Sequence, residues 1–159
     1  MTALFVSHIR PVIEYCSSVW NVGYLGDMNR LESLQRRWTR EIDGLRGLDY
    51  EDRLQRCGLF SVRGRLLRQD LIRLWKAFNS EVDVGLSGIF ERAGGVNTRG
   101  HRWKLSVPVC RTEIRRRSLA VRCVRLWNGL PARVVEAESV GIFKRRLGEH
   151  LGGDLFSVR

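Results

Sequence analysis

A chain of 159 residues is of single-domain length, and its 43% hydrophobic content suffices for a packed core, which excludes wholesale disorder. The formal charge of +11, from 28 Lys and Arg against 17 Asp and Glu, is far from a neutral surface and calls for a polyanionic partner. Arginine supplies most of the positive charge; its planar guanidinium binds phosphate at two points and stacks on bases, which favours RNA or DNA over mere solubility.

The first segment, "TALFVSHIRPVIEYCSSVW", reads as helix with Leu4, Phe5, Ile9, Val12, Ile13, Cys16 and Trp20 available for burial. Pro11 should kink or split it, having no amide proton for the preceding turn. Arg10 and Glu14 interrupt the apolar run before membrane-spanning length, and no secretory leader pattern is present. Together with four cysteines that show no close pairing (Cys16, Cys57, Cys110, Cys123), this gives the expectation of an intracellular chain, nuclear or cytoplasmic, with reduced thiols and no membrane partner.

After the turn "NVGYLGD", Asp27 is the expected cap of a helix over 27–44. Leu31, Leu34, Trp38, Ile42 and Leu45 form its apolar stripe, Arg36 and Arg40 point away, and Gly44 or Gly47 ends it. A short helix should start at Asp49 and stop at Gly58. The strongest helical pattern follows over 62–79, with Leu67, Leu71, Leu74 and Phe78 on one face and Arg65, Gln69, Arg73 and Lys76 opposite. Packing of 27–44 on 62–79 is expected through Leu34/Trp38 and Leu71/Leu74. From Glu81 to Asn97 the chain loosens. "RWKLSVPVC" alternates like a short extended piece, which must pair or lie across helices because one strand cannot stand alone. The sequence "RTEIRRRSLAVRCVRLWNGLP" is helical again up to Pro131, and Ser139 is the expected cap of a last helix whose Ile142, Phe143 and Leu147 dock. The fold class is mainly α: a small helical bundle, a short extended segment near 101–109 and further C-terminal helices. The divisions are 1–80 for the helical region, 81–98 for an irregular linker, 99–150 for a basic C-terminal extension with helices and 151–159 for a flexible tail.

The charge is local. Residues 1–98 carry a net +2 and 126–159 a net +1, whereas 99–125 carry nine basic residues against the single Glu113, a net +8. On one continuous helix Arg111, Arg115, Arg122 and Arg125 would share a sector of about 80°, with Ala120, Cys123, Val124 and Trp127 nearly opposite. Upstream of them "TRGHRWKL" gathers Arg99, His101, Arg102, Trp103 and Lys104. These nine residues, the four arginines and the five of "TRGHRWKL", are the expected nucleic-acid-binding set, with His101 and Trp103 available to stack on an unpaired base.

Catalytic chemistry is not legible. Three scattered histidines and the absence of a Gly-rich phosphate loop give no nucleophile–base set, and "YED" at Tyr50–Asp52 belongs to a helix start. His101, Cys110 and Cys123 lack the two-residue spacing of structural zinc sites, so neither a metal nor another cofactor is expected.

Four blocks stand in a distinctive order: "HIRPVIEYCSSVW", "LESLQRRWTREIDGLRGLDYEDRLQRCGLFSVRGRLLRQDLIRLWKAFN", "TRGHRWKL" and "RRRSLAVRCVRLWNGLPARVVEAESVGIFKRRL". From about Leu4 to Leu147 the chain resembles the C-terminal region of reverse transcriptases of non-LTR (LINE-like) retrotransposons, especially the jockey-like and chicken-repeat-like clades. The matching residues are Arg10, Pro11, Glu14, Tyr15, Cys16 and Trp20, then Gln35, Arg36 and Arg37, then Thr98, Arg99, Gly100, His101 and Leu105, continuing with Cys110, Arg111, Leu126, Trp127, Asn128, Leu130 and Pro131. The resemblance implies that the first helices are a thumb gripping a template–primer duplex. It also implies that an endonuclease and the polymerase palm and fingers, with their catalytic Asp pair, lie N-terminal to this region. Implied partners are RNA, an RNA–DNA hybrid or DNA, and the palm and fingers of the full-length protein. The fragment itself would be non-catalytic, although its parent is an RNA-directed DNA polymerase. The competing readings are a helical protein-interaction module, whose arginines meet an acidic protein surface, and a decayed copy of the element.

Overall fold

In the computed structural model, which describes residues 2–21, 23–79, 90–94 and 100–157, Pro11 sets the course of the first helical stretch. α1 (Thr2–Leu4) widens into a π-helical turn (Phe5–Ile9) that leads into α2 (Arg10–Glu14). The Arg10 N–H bonds back to the carbonyl of Phe5, and the wider turn makes room for the proline ring beside the preceding carbonyls. The expected split is taken up as a local change of pitch. The chain then turns at Cys16, held at φ 48°, into α3 (Ser17–Trp20).

The elements that follow are α4 (Leu25–Arg40), α5 (Tyr50–Cys57), α6 (Val62–Asn79), α7 (Glu113–Arg117), α8 (Leu119–Gly129), α9 (Ala132–Val135) and α10 (Val140–Leu151). The protein is a mostly helical small bundle, with no β-sheet among the described residues. The chain divides into two units, Met1–Leu67 with Leu151–Arg159, and Arg68–His150.

Two apolar clusters make the core of the first unit. Phe5, Tyr50, Leu54 and Leu59 form one, edged by Ile9, Trp38, Cys57 and Phe156. Met28, Val62 and Leu66 form the other, edged by Ile13 and Leu31. α5 obeys its sequence signals: Asp49 Oδ1 accepts from the Asp52 N–H at 3.0 Å, and Gly58 closes the helix at φ 62°. The C-terminal segment docks on the start of α6, where Leu155 O accepts from both the backbone N–H (2.9 Å) and the hydroxyl (3.1 Å) of Ser61.

α4 departs from expectation in three ways. It begins at Leu25 rather than Asp27, which sits inside the first turn; it ends at Arg40, before the glycines. Its buried residues are Met28, Glu32, Gln35 and Thr39, whereas Leu34 is 52% exposed. The helix is rolled away from its apolar stripe because distant groups satisfy this polar row. Glu32 Oε1 accepts from Tyr50 Oη at 2.5 Å, and Oε2 accepts from the Val62 N–H at 3.0 Å. Gln35 Nε2 donates to Phe60 O at 2.9 Å, and Thr39 Oγ1 accepts from Arg53 Nε at 3.2 Å. A buried polar group with its partners in place costs little, so the hydrogen-bond network selects the face. The expected Leu34/Trp38 seam against Leu71/Leu74 is therefore corrected: Trp38 packs on Phe5, at 5.7 Å between ring centroids, while Met28 and Leu31 meet Val62 and Leu66.

The second unit is organised around Trp127, which is fully buried among Phe78 (6.1 Å), Phe143 (6.3 Å) and His101 (6.0 Å). Trp75 stacks on Phe143 at 5.5 Å and donates Nε1–H to Val135 O at 3.2 Å. α10 begins as expected, Ser139 Oγ accepting from the Ile142 N–H at 3.3 Å, and it buries Phe143 and Leu147. The extended piece near 101–109 is corrected to a single antiparallel bridge, Leu105 with Arg92. The Asn128 side chain completes it: Oδ1 accepts from Leu105 N–H at 2.8 Å and Nδ2 donates to Leu105 O at 2.9 Å. One carboxamide thereby takes the place of a second strand. The expected loose stretch 81–97 lies largely outside the described residues.

Candidate nucleic-acid interface

The basic segment is not one helix. Thr112 caps α7, its Oγ1 accepting from the Arg115 N–H at 3.3 Å, and Ser118 at ψ 155° ends α7 before α8 begins. That extended residue resets the helical phase, so the expected common sector of Arg111, Arg115, Arg122 and Arg125 does not exist. Arg111 precedes α7, Arg115 lies on it, and Arg122 and Arg125 belong to α8.

Three of the four still stand in solvent. Arg111, Arg115 and Arg125 are exposed, and no carboxylate among the described residues pairs with them. Arg116 and Arg117 share Glu113 at 2.9 and 2.8 Å. Arg122 is spoken for: its Nε and Nη2 donate to Asp70 Oδ2 at 3.0 and 2.9 Å, and its Nη1 to Arg117 O at 3.1 Å. Asp70 itself is 2% exposed. Burial pushes its carboxyl above the usual range for aspartate, against the pull of Arg122 and then of Arg73.

Within "TRGHRWKL", Thr98 and Arg99 lie outside the described residues. His101 is turned inward at 3% exposure. Its Nδ1 accepts from the Trp103 N–H at 3.2 Å, so Nε2 carries the proton and donates to Trp127 O at 3.0 Å. Both ring nitrogens are used internally, which corrects the expectation that His101 stacks on a base. Trp103 is half-buried, with the guanidinium of Arg92 4.4 Å and that of Arg102 5.3 Å from its ring centroid. A base would have to displace a cation that the ring already attracts. Arg102 is exposed and 3.6 Å from Glu136, and Lys104 is half-buried beside Gly100, whose φ of 120° suits only glycine.

A second basic surface, in the first unit, was absent from the expected set. Asn29, Arg30, Ser33, Arg36, Arg37 and Arg40 are all exposed and share a sector of about 120° along α4. Ser33, Leu34, Arg36, Arg37 and Arg40 line a surface groove of about 300 Å³. The Arg36 guanidinium lies 4.9 Å from the Tyr50 ring centroid, and Tyr50 is in turn fixed by Glu32 and Gln35 (3.2 Å). The signal was present as "QRRWTR", but an overall balance of charge in residues 1–98 hid it; on α4 itself Glu32 is buried, and Asp27 lies 3.9 Å from Arg30.

Among the described residues no three His, Cys, Asp or Glu side chains converge as a metal site, and no helix is long and apolar enough to cross a membrane. The Cys123 thiol is buried, which pushes its pKa up to about 12, with the Asp70 charge adding to the effect. Comparison with protein-family models, curated proteins and solved structures gives no match.

Proposed function

We propose that this chain is the thumb and post-thumb region of a non-LTR retrotransposon reverse transcriptase and binds an RNA or RNA–DNA template–primer duplex without carrying the polymerase chemistry. The observation that supports this best is that, inside a segment of net +8, the exposed guanidinium groups of Arg111, Arg115 and Arg125 have no carboxylate partner among the described residues. Unpaired arginines at a surface are available to replace condensed counterions on a phosphate backbone. The row on α4 extends the same reading to the thumb-like helices. His101 and Arg122 leave the contact set, and Trp103 remains in it only if its cations yield to a base.

The large apolar side chains exposed in the first unit, Val12, Tyr15, Val19, Leu25 and Leu34, fit the polymerase palm and fingers as further partners. Nuclear or cytoplasmic localisation belongs to the same reading. A protein-interaction module is the rival, with an acidic protein surface as the target of the arginines.

Fluorescence anisotropy with a blunt RNA–DNA duplex at several salt concentrations tests the proposal. Affinity should fall steeply with salt, each phosphate contact contributing about 0.9 to the log–log slope on duplex DNA. Arg111→Glu with Arg115→Glu should weaken binding and flatten the slope by about two contacts. Unchanged affinity and slope in that double variant would remove the reading.

A further inference from the structure

Asp70 and Arg122 take no direct part in the proposed contact, yet theirs is the most buried ion pair among those described in the second unit, with side-chain exposures of 3% and 18%. Asp70 lies within α6, and Arg122 on α8 beside the buried Val121, Cys123 and Val124. The Arg122 guanidinium is engaged along both edges: Nε and Nη2 on Asp70, Nη1 on the carbonyl of Arg117, the last residue of α7.

α7 needs such a hold. It has five residues, none of them buried, and Ile114 on it is 71% exposed. A helix this short does not persist alone, and no residue of α7 is buried to help dock it. Its N-terminal cap, Thr112, and the bond from Ser118 Oγ to Arg115 O (2.7 Å) are local and do not orient it against the rest of the unit. A planar guanidinium does: once its Nε/Nη2 edge is fixed on Asp70, the direction of Nη1 follows. We propose that Asp70, acting through Arg122, is a positioning residue for nucleic-acid binding: it holds the carbonyl end of α7 and so fixes where the arginines next to it, Arg115 above all, are presented.

The energetics fit orientation better than stability. Asp70 Oδ1 has no hydrogen-bond partner among the described residues, and Arg73 Nη1 approaches it only to 3.5 Å. Burial outweighs the pull of both arginines on the carboxyl. A buried pair of this kind adds little to folding free energy but can select one arrangement over others.

The inference rests on the nucleic-acid reading above, and its sign separates it from simple electrostatics. By charge alone, removing Asp70 should strengthen binding to a polyanion, and exchanging Arg122 for lysine should change nothing. Positioning demands the opposite. In the full chain, Asp70→Leu leaves Arg122 without its anchor, and Arg122→Lys conserves charge but loses the fork that spans Asp70 and Arg117 O. Both variants should bind a blunt RNA–DNA duplex about three- to tenfold more weakly, with a salt slope smaller by about one contact. The slope is read well below the melting transition, after circular dichroism shows native helicity; a purely structural role would shift melting and leave the slope alone. If Asp70→Leu does not fold, Arg122→Lys decides. Wild-type affinity or tighter in a folded variant overturns the positioning role, while loss of binding in the Arg111→Glu/Arg115→Glu variant keeps the site itself. If that double variant also binds like wild type, or wild type shows no salt-dependent binding, both the site and the positioning role fall.

Discussion

Asn128→Asp is nearly isosteric, yet it should be among the more damaging single-atom exchanges in the second unit. In the wild type the carboxamide gives and receives at Leu105: Oδ1 accepts from the N–H at 2.8 Å, and Nδ2 donates to the carbonyl at 2.9 Å. An ionised carboxylate keeps the first bond but points an oxygen at the Leu105 carbonyl, so one hydrogen bond becomes a repulsion. Leu105 is buried, and its backbone has little access to water for compensation. One lost bond is worth about 1 kcal/mol, and an orphaned buried carbonyl costs roughly 1–3 kcal/mol, so a loss of about 2–4 kcal/mol is expected at neutral pH. Asn128→Ala loses both bonds without the repulsion but orphans both the N–H and the carbonyl of Leu105, so it should cost about as much or more, at least ~2–4 kcal/mol. Urea unfolding followed by tryptophan fluorescence measures both. Acidification discriminates the cause, because a protonated carboxyl can again donate to Leu105 O. Asn128→Asp should therefore recover toward wild type as the pH falls through the carboxylate range, whereas Asn128→Ala should not. A loss below about 0.5 kcal/mol in both variants, or a pH-independent loss in Asn128→Asp, would refute the strand-replacing role.

Gly64→Ala should destabilise by roughly 1–3 kcal/mol or more, since a Cβ there would stand 2.4 Å from the carbonyl oxygen of Leu155; chemical denaturation and limited proteolysis of the C-terminal segment would show it, and wild-type stability would mean that the segment does not dock. Asp70 gives a signed pH dependence. Burial, partly offset by Arg122 and then Arg73, holds its carboxyl above the ordinary value of 3.8, so the folded chain keeps the proton more tightly than the unfolded chain. Its contribution to stability is fully present below 3.8 and is lost as pH rises through the elevated folded value. Relative to Asp70→Asn, wild type should lose ground as the pH is raised from about 3 to 7 in denaturant titrations; a change in the opposite direction would mean that pairing with Arg122 outweighs burial.

Features set by neighbours a few residues away were legible in the sequence. Asp49 and Gly58 bound α5, Ser139 caps α10, and Pro11 disturbs the first helix, because caps and ring clashes act within one turn. The concentration of charge in 99–125 was legible for a similar reason, being a sum over contiguous residues. The break at Ser118 was not, and with it went the common arginine sector, since a serine inside an amphipathic pattern does not announce which backbone it will adopt.

Tertiary structure decided which groups are hidden. Periodicity favoured the leucines of α4 for burial, but Glu32, Gln35 and Thr39 are inside because Tyr50, Phe60, Val62 and Arg53 supply their partners. His101 left the candidate site for the carbonyl of Trp127, and Arg122 left it for a carboxylate 52 positions away. A polar residue reads as surface until a partner distant in sequence satisfies it, and only the folded chain brings such partners together.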